Sequence, residues 1–469
     1  MIFKHLFARV CAVFLAFTAH ATPPLEAPVI DQRVELLSIV FRLAECDEYA
    51  SQKNTWYVKE IENHFHPYKN HELIRYVKKI RNRGIGFDAV MQMAIHIGNA
   101  PSFEQLLPFS ETVPEIRWGK SRAEKFRKLL KQFYTDAQCE KFFREQRAYY
   151  QQVVEQFMPI YDSLDINWYT QFYGKEPEEK FRIILAPGNG GNNYGPLLDF
   201  GNGNKEIYAI MGVWEFGDDQ LPRFTFNDFF PILLHEFNHS FVNPMLSAAK
   251  TELKSSCSAL FTKMEVEMRN QAYGDWEVMF NESVVRAAVV QYMMDHQFAP
   301  EVIEEELSEN YFKGFIWIYE LLDQLNRYSA NRNTYPTLDG FLSEIGNSLT
   351  TYAENLSAHV TKYNANRPII TSITEFSNGA VDVDAQITTI TINFDQEMLG
   401  YGYSINYGEK GKKCYPEIKE INYSADKRSV ILSVNLRAKH DYQLVLLGKG
   451  FRSKRKVPIA PYEINFKTK

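Results

Sequence analysis

The segment from Asp228 to Asn243, DFFPILLHEFNHSFVN, constrains the fold and chemistry of this chain more than any other stretch. Apolar residues recur along it at helical spacing: Phe230, Leu234, Phe237 and Phe241. This pattern predicts one helix with a face turned toward a core. We expect the helix to begin near Asp228, because Pro231 is tolerated only in a first turn, and to end at Asn243-Pro244.

The same segment contains the pattern His235-Glu236-x-x-His239. On a helix, residues four apart lie on one face about one turn apart, so both imidazoles can reach a single ion. Glu236 follows the first histidine and would lie beside that ion, where it can accept a proton from a bound water. The spacing therefore predicts a metal site on this helix, and the alternative is a core helix with two incidental histidines.

A catalytic zinc needs three protein ligands and one open position, and the motif supplies two ligands. The third ligand of the HExxHxxGxxH pattern is excluded, since Val242 and Met245 stand at its Gly and His positions. Cys139 and Cys257 lie in no cysteine-ligand motif, so we expect a carboxylate. The downstream candidates are Glu252, Glu265, Glu267, Asp275, Glu277 and Glu282.

Glu282 is the favoured third ligand. It lies midway along a predicted helix from Trp276 to about His296 whose other residues are largely small or apolar, and a lone carboxylate there would be costly to ionise. Arg286, four residues on, could orient it. A plain Glu282–Arg286 ion pair is the alternative, and Asp275 is the second candidate, although we expect it to cap the helix.

Length and composition bound the remaining possibilities. A chain of 469 residues predicts two or three domains, and a net charge of −6 argues against nucleic-acid binding. Residues 1–21 have the basic, apolar and small-x-small parts of a bacterial signal peptide, which predicts a secreted or periplasmic protein with no transmembrane segment after cleavage. The four later cysteines have no metal-site spacing and leave their pairing open: Cys46, Cys139, Cys257 and Cys414.

Periodicity divides the mature chain into three predicted regions. Residues 22–160 read as helical, 161–365 as a mixed region around the metal motif, and 366–469 as a β-sandwich of alternating strands. The run from Lys205 to Phe216 predicts a strand, either an edge strand that an extended substrate could extend or an ordinary one. Gly188 to Gly195 reads as a loop, not a phosphate-binding one. Histidines between the early helices match no ligand motif: His64, His66 and His71.

The two histidines and a glutamate on a later helix resemble the gluzincin class of zinc metallopeptidases. Over Gln32 to about Tyr363 the chain also resembles an uncharacterised family of secreted bacterial proteins carrying HEFxHxF and YGxWxxxxNExxxRA, here His235–Phe241 and Tyr273–Ala287. Arg367 to Lys469 resembles bacterial Ig-like domains, which usually act as spacers or adhesion units. The resemblance thus implies a mainly α-helical, α+β zincin-like region followed by an all-β Ig-like sandwich.

The gluzincin resemblance implies an enzyme in which Zn²⁺ bound by His235, His239 and Glu282 activates water against a peptide bond. Glu236 would be the general base, and we expect Tyr273 to donate to the oxyanion, although a packing role is its alternative. The expected partner is a protein or peptide substrate, with cell-surface contact through the Ig-like module. The competing hypotheses are a catalytically degenerate, peptidase-fold adhesion protein and a structural zinc site.

Overall fold

A computed structural model describes residues 25–176, 180–201 and 203–469. The predicted signal peptide, residues 1–21, lies outside the described residues. The chain forms two compact units, one ending at Ser240 and one from Phe241 to Lys469.

The first unit opens with helices, as the periodicity of residues 22–160 predicts, and a further helix, Ile166–Tyr173, lies beyond that range. They are α1 (Gln32–Leu43), α2 (Thr55–Phe65), α3 (Glu72–Arg81), α4 (Asp88–His96), α5 (Gly119–Asp136), α6 (Cys139–Glu145), α7 (Arg147–Tyr161) and α8 (Ile166–Tyr173). Polar caps set several of their starts: the Asp31 carboxylate accepts from the Arg33 amide at 2.8 Å, and Asp165 accepts from the Asn167 amide at 3.0 Å. The expectation that His64 lies between helices is wrong, because it lies in the last turn of α2. Its Nε2 is 2.9 Å from the Ala137 carbonyl, and His71 Nε2 is 3.3 Å from Asp136.

A buried carboxylate lies inside this helical region. Glu35 of α1 is fully buried, and its oxygens accept from the Tyr57 hydroxyl at 2.6 Å and the Gly188 amide at 3.1 Å. The Tyr57 oxygen is in turn 2.6 Å from the Tyr150 oxygen. Burial raises the pKa of Glu35 to about 7, although the two hydrogen bonds oppose the shift.

A small sheet follows α8. Its strands are β1 (Lys180–Ala186), β2 (Leu197–Asp199) and β3 (Lys205–Gly212), in the spatial order β1-β3-β2. Because β3 pairs with β1 on one side and β2 on the other, the edge-strand interpretation of residues 205–216 is wrong. Both hydrogen-bonding edges of β3 are already occupied, and an extended substrate cannot add to it.

The motif helix, α9, runs from Phe226 to Ala248 and is longer than predicted. It begins two residues before Asp228 and continues through Pro244, so the predicted end at Asn243-Pro244 is wrong. A proline removes one hydrogen bond from a helix interior. Packing compensates for that loss here, since Val242, Met245 and Leu246 around the proline are all buried. The division between the two compact units falls inside this helix.

The second unit continues with helices. They are α10 (Lys250–Lys263), α11 (Glu265–Arg269), α12 (Trp276–Asp295), α13 (Pro300–Phe312), α14 (Ile318–Ala330), α15 (Leu342–Glu354) and α16 (Leu356–Ala365). Asp275 caps α12 as predicted, because its carboxylate accepts from the amides of Glu277 and Val278 at 2.9 and 3.0 Å. The buried Trp317 indole donates to the Ser283 hydroxyl of α12 at 2.9 Å.

The second unit ends in antiparallel strands. They are β4 (Ile370–Ile373), β5 (Thr389–Phe394), β6 (Ile405–Asn406), β7 (Glu417–Tyr423), β8 (Ser429–Asn435), β9 (Asp441–Leu446) and β10 (Tyr462–Lys467). They form one sheet in the order β4-β5-β8-β7 and another in the order β10-β9-β6, and both contribute to one hydrophobic core. The predicted helix-rich, multidomain chain with a sheet-rich C-terminal region is therefore confirmed at that level. The bounds at 22–160, 161–365 and 366–469 stay predictions.

The cysteines and the helix lengths add two observations. Cys46, Cys139, Cys257 and Cys414 are all free thiols, and the first three are buried. Burial raises the pKa of Cys46 to about 11 and that of Cys257 to about 12.

None of the helices within the described ranges combines the length and apolar content that a membrane span requires.

Candidate metal centre

The motif helix carries both histidines on one half-buried face. The Nε2 atoms of His235 and His239 are 3.3 Å apart, and the ring centroids are 4.9 Å apart. Two imidazole nitrogens bound to one tetrahedral zinc at about 2.0–2.1 Å are separated by roughly 3.3 Å. The spacing of this pair therefore fits a single zinc ion held between the two rings.

The opposite face of α9 fixes the orientation of the pair. The predicted apolar stripe is buried, with Phe237 only 3% exposed, and the Phe237 ring centroid lies 4.5 Å from that of Tyr169 and 4.4 Å from that of Phe181. Between the histidines, the fully buried Asn238 accepts from the Tyr173 hydroxyl at 2.6 Å and donates to the Leu234 carbonyl at 2.8 Å. Because its side-chain amide is hydrogen-bonded on both sides, Asn238 resists rotation of α9 about the helix axis.

A glycine-rich loop adds a contact to the candidate base. A Cβ atom placed on Gly195 would overlap the Oε2 atom of Glu236, so the backbone of the loop from Gly188 to Gly195 approaches that carboxylate closely. A larger residue at position 195 would displace the Glu236 carboxylate from its present position. The sequence indicates that the segment is a loop but not that it contacts Glu236, because nothing in the spacing of the two residues links them.

On α12, the predicted third ligand lies in a hydrogen-bonded cluster. Glu282 Oε2 accepts from the Tyr273 hydroxyl at 3.1 Å and from Arg286 Nη2 at 3.3 Å. The same Arg286 nitrogen donates to the Tyr273 oxygen at 3.0 Å. The Glu282–Arg286 ion pair offered above as an alternative is thus present, and it orients the carboxylate as a supporting contact to a metal ligand would.

Further contacts fix Arg286 itself. Its Nη1 donates to the Asn310 side-chain oxygen at 2.8 Å, and its guanidinium carbon lies 4.8 Å from the Phe315 ring centroid. Burial lowers the pKa of Arg286, but Tyr273 and Glu282 raise it further, so the net shift is upward. The positive charge that balances Glu282 is therefore permanent.

The Tyr273 hydroxyl donates its hydrogen bond to Glu282. Burial raises the pKa of Tyr273 to about 12, so the phenol is neutral and can donate at neutral pH. Donation to an oxyanion would first require the bond to Glu282 to break. The oxyanion role stays a prediction, and the geometry adds a second role, that of holding the carboxylate.

One potential ligand atom from each of His235, His239 and Glu282 lies within 4.8 Å of the other two. In the part of the chain that the structure describes, this is the group of His, Cys, Asp or Glu side chains close enough to hold an ion. The competing carboxylates have other partners: Glu252 accepts from Ser343, Glu265 and Glu267 pair with Arg269 and Arg367, Asp275 caps α12, and Glu277 pairs with Lys250.

Comparison with protein families gives one match of substantial extent. The model described as "Domain of unknown function (DUF4932)" matches residues 28–347, more than half of the chain. That range contains the motif helix and α12 and ends before the strands of the second unit. No match was found among curated proteins.

Solved structures of surface layer protein SbsC have only remote similarity to the chain. Its domains 1-6 are 16% identical over 50% of this chain and 33% of that one, with a TM-score of 0.17. The N-terminal part of the same bacterial S-layer protein is 13% identical over 51% and 58%, also with a TM-score of 0.17. The chain spans less than two thirds of either structure, and similarity at this level carries no argument about fold or function.

Proposed function

The chain belongs to the DUF4932 family, and from that premise we propose that it is a zinc-dependent peptidase of the gluzincin type. The proposed ligands are His235, His239 and Glu282, and the proposed general base is Glu236. The observation that carries the proposal is the 3.3 Å separation of the two histidine nitrogens, which matches one zinc ion, together with a third ligand atom within 4.8 Å.

A zinc ion bound there would lower the pKa of a coordinated water and polarise a peptide carbonyl. The protein's own residues perform the remaining steps. Glu236, next to a ligand in the chain and half-buried against the Gly195 backbone, accepts a proton from water and delivers it to the leaving amine. An adhesion protein that used the metal only for binding would have no use for a base at this position.

The supporting cluster explains how Glu282 would stay oriented for its role. Tyr273 and Arg286 both donate to Oε2, so the carboxylate is held at one oxygen from the side of α12. The Arg286 charge also offsets the cost of keeping Glu282 ionised in a partly enclosed site. Both residues act through Glu282, and we describe them as positioning residues.

The finer features of the fold belong to the same proposal. The region around α9 and α12 would be zincin-like, and the two sheets of residues 366–469 would form an Ig-like spacer or adhesion module. The protein would be secreted or periplasmic, and its substrate would be a protein or peptide. The substrate would not extend the sheet at β3, because both edges of that strand are occupied.

The test measures zinc content and cleavage in the same preparations of the full chain. Wild type is expected to hold about one zinc and to cut members of a broad peptide library. Glu236→Gln keeps the side-chain size but cannot accept a proton, so it should retain zinc while cleavage falls at least about 10²-fold. The matched control is Glu277→Gln on α12, where an ion pair with Lys250 is lost and cleavage should be unchanged.

Two results would contradict the proposal. Unchanged cleavage by Glu236→Gln at full zinc occupancy would remove the general base from the mechanism. Absence of zinc from wild type, after growth and purification with zinc present, would remove the metal centre altogether.

A further inference from the structure

A cavity of about 400 Å³, lined by helical residues and by the sheet-rich part of the second unit, plays no part in the proposed peptidase chemistry. It is lined by residues of α11, α13 and α16 and by loops around β6, β9 and β10. Its size is within the range of small-molecule sites. None of the proposed zinc ligands lines it, so its ligand can be sought independently of the metal.

Positive charge dominates the cavity wall, in a chain whose net charge is −6. Its cations are Lys313, Arg367, Lys449, Arg452 and Lys456, and its acids are Glu267 and Glu309. Three of the cations are neutralised in ion pairs, Lys313 by Glu309 at 2.8 Å, Arg367 by Glu267 at 3.2 Å, and Lys456 by Glu305. Within the described ranges, Lys449 and Arg452 have no side-chain hydrogen bond or ion pair.

The electrostatic environment of Glu309 reflects this excess. Burial would raise its pKa, but Lys313, Lys456 and Arg452 together lower it below the ordinary value for a glutamate. Glu309 is therefore already charged, and together with Glu267 and Glu305 it does not cancel all five cations. Two positive charges remain for an anionic ligand.

The cavity also has groups suited to a hydroxylated ring. The amides of Asn270 and Asn406 can both donate and accept. Phe312, Pro458 and Pro461 contribute apolar atoms to the lining. An apolar surface beside amide groups fits the two kinds of surface that a sugar ring presents, its C–H face and its hydroxyl edge.

A row of exposed tyrosines lies on the segment that supplies Asn406. Tyr401, Tyr403 and Tyr407 are 68%, 61% and 58% exposed. Tyr401 lies near enough to Lys456 of the cavity wall to contribute to raising the pKa of that lysine. Among the described residues, the Tyr401 and Tyr403 side chains have no hydrogen bond or ring contact, so the packing of the fold does not account for them.

The backbone of this segment is built to present those rings. Gly400 and Gly402 both have positive φ, at 81° and 75°, a conformation that other residues adopt only with strain. The alternation of glycine and tyrosine places two aromatic rings in solvent on a short turn. Exposed rigid aromatic side chains are typical of binding surfaces.

We propose that this cavity and its tyrosines bind an acidic saccharide, a chain of sugar rings carrying carboxylates. Lys449 and Arg452 bind a carboxylate, Asn270 and Asn406 bind hydroxyls, and the Tyr401 and Tyr403 rings stack against sugars that extend out of the cavity. The site gives the sheet-rich region a ligand of its own, whether or not residues 235–286 hold zinc.

The test is calorimetric titration of the full chain with tetragalacturonate, a linear acidic oligosaccharide. Maltotetraose, of equal length and without carboxylates, and inorganic phosphate are titrated in parallel. Tetragalacturonate is expected to bind, more weakly as salt is raised. The double variant Lys449→Gln/Arg452→Gln should bind at least about 10-fold more weakly, the equivalent of one charge-assisted contact of about 1.4 kcal/mol.

A matched control removes the same charge from the same loop. Lys454 and Arg455 are exposed and do not line the cavity, so Lys454→Gln/Arg455→Gln should bind as wild type does. Tyr401→Ala/Tyr403→Ala should weaken binding without changing the thermal melting temperature. The proposed site would be wrong if Lys449→Gln/Arg452→Gln and Lys454→Gln/Arg455→Gln bound tetragalacturonate equally well. It would also be wrong if wild type bound maltotetraose as tightly as tetragalacturonate. Binding of phosphate but not of tetragalacturonate would overturn the saccharide assignment.

Discussion

Two glutamates on apolar helices, Glu35 of α1 and Glu282 of α12, experience contrasting environments. Glu35 is fully buried, and its hydrogen bonds come from a phenol and a backbone amide. Glu282 is half-buried and has an arginine at 3.3 Å and a tyrosine at 3.1 Å. The first environment favours a proton on the carboxyl group, as the Glu35 pKa of about 7 reflects, and the second places a guanidinium group against the carboxylate.

The contrast limits what a sequence can say about metal ligands. The sequence favours Glu282 as a ligand because a lone carboxylate on an apolar helix face needs a charge partner. Glu35, between Val34 and Leu36, meets the same description equally well. Its burial cost is reduced instead by protonation and by Tyr57, which lies on another helix. A buried helical glutamate therefore indicates a ligand only where histidines and a positioning cation converge on it.

The largest expected difference between the two glutamates concerns metal content. Glu282→Gln removes a proposed anionic ligand, so the chain should lose its stoichiometric zinc, whereas Glu35→Gln should keep about one zinc per chain. Metal content of both variants, measured by atomic spectroscopy after dialysis, makes the comparison. If Glu282→Gln retained about one zinc per chain and Asp275→Ala lost it, the third ligand would be Asp275 instead of Glu282.

The second expected difference lies in how the free energy of unfolding depends on pH, and it arises from Glu35 alone. Its folded-state pKa of about 7 is above the ordinary value of 4.5, so between these pH values the unfolded chain loses a proton that the folded chain retains. Its contribution therefore destabilises the fold progressively from pH 4.5 to 7, by about 3 kcal/mol in all, and is constant above that range. Below pH 4.5 both states are protonated and the contribution vanishes.

Urea denaturation at pH 5 and pH 8 measures this effect as a difference between proteins. Wild type should lose more free energy of unfolding between the two pH values than Glu35→Gln, which has no proton to lose. Glu282→Gln, studied without metal, is the matched carboxylate control and should retain the wild-type dependence on Glu35. Identical pH dependence in wild type and Glu35→Gln would show that Glu35 is ionised in the fold.

The smallest predicted effect tests the hydroxyl that positions Glu282. Tyr273→Phe removes the 3.1 Å bond and leaves the ring, so zinc should bind about 10-fold more weakly, the lower end for loss of a group that orients a ligand. Competition with a fluorescent chelator measures the change. Tyr319→Phe is the control, since it removes a similar tyrosine–glutamate bond, to Glu304 at 3.0 Å. Equal affinity in the two variants would leave Tyr273 without a positioning role.

Much of the fold follows from local patterns in the sequence. Asp275 caps α12 because a short polar side chain before an apolar helix can satisfy the first amides. The alternating run from Val430 to Leu436 forms β8 over Ser429–Asn435, since every second side chain points into the core. The apolar stripe of α9 is likewise buried as its spacing predicts.

The failures occur where a partner distant in sequence decides the outcome. Pro244 does not end α9, because buried neighbours around it offset the lost hydrogen bond. The strand at 205–212 is central because β2, which is only three residues long, pairs with its second edge. The approach of Gly195 to Glu236 and the cluster of Tyr273, Arg286 and Asn310 likewise depend on tertiary placement. Spacing along one helix predicts the histidine pair, but it cannot predict what surrounds that pair.

If the chain binds zinc as proposed, the three buried thiols affect the order in which zinc and the refolding chain should be mixed. Cys46, Cys139 and Cys257 are enclosed in the folded protein, and burial raises the pKa of each, so none is available there as a thiolate. In the unfolded chain the same sulfur atoms are exposed and can bind zinc, and metal bound to the unfolded state offsets the stabilisation it gives to the fold. By mass action, zinc bound to these thiols would favour the unfolded state, so we expect the refolding yield to be highest when a chelator is present first and the metal is added last.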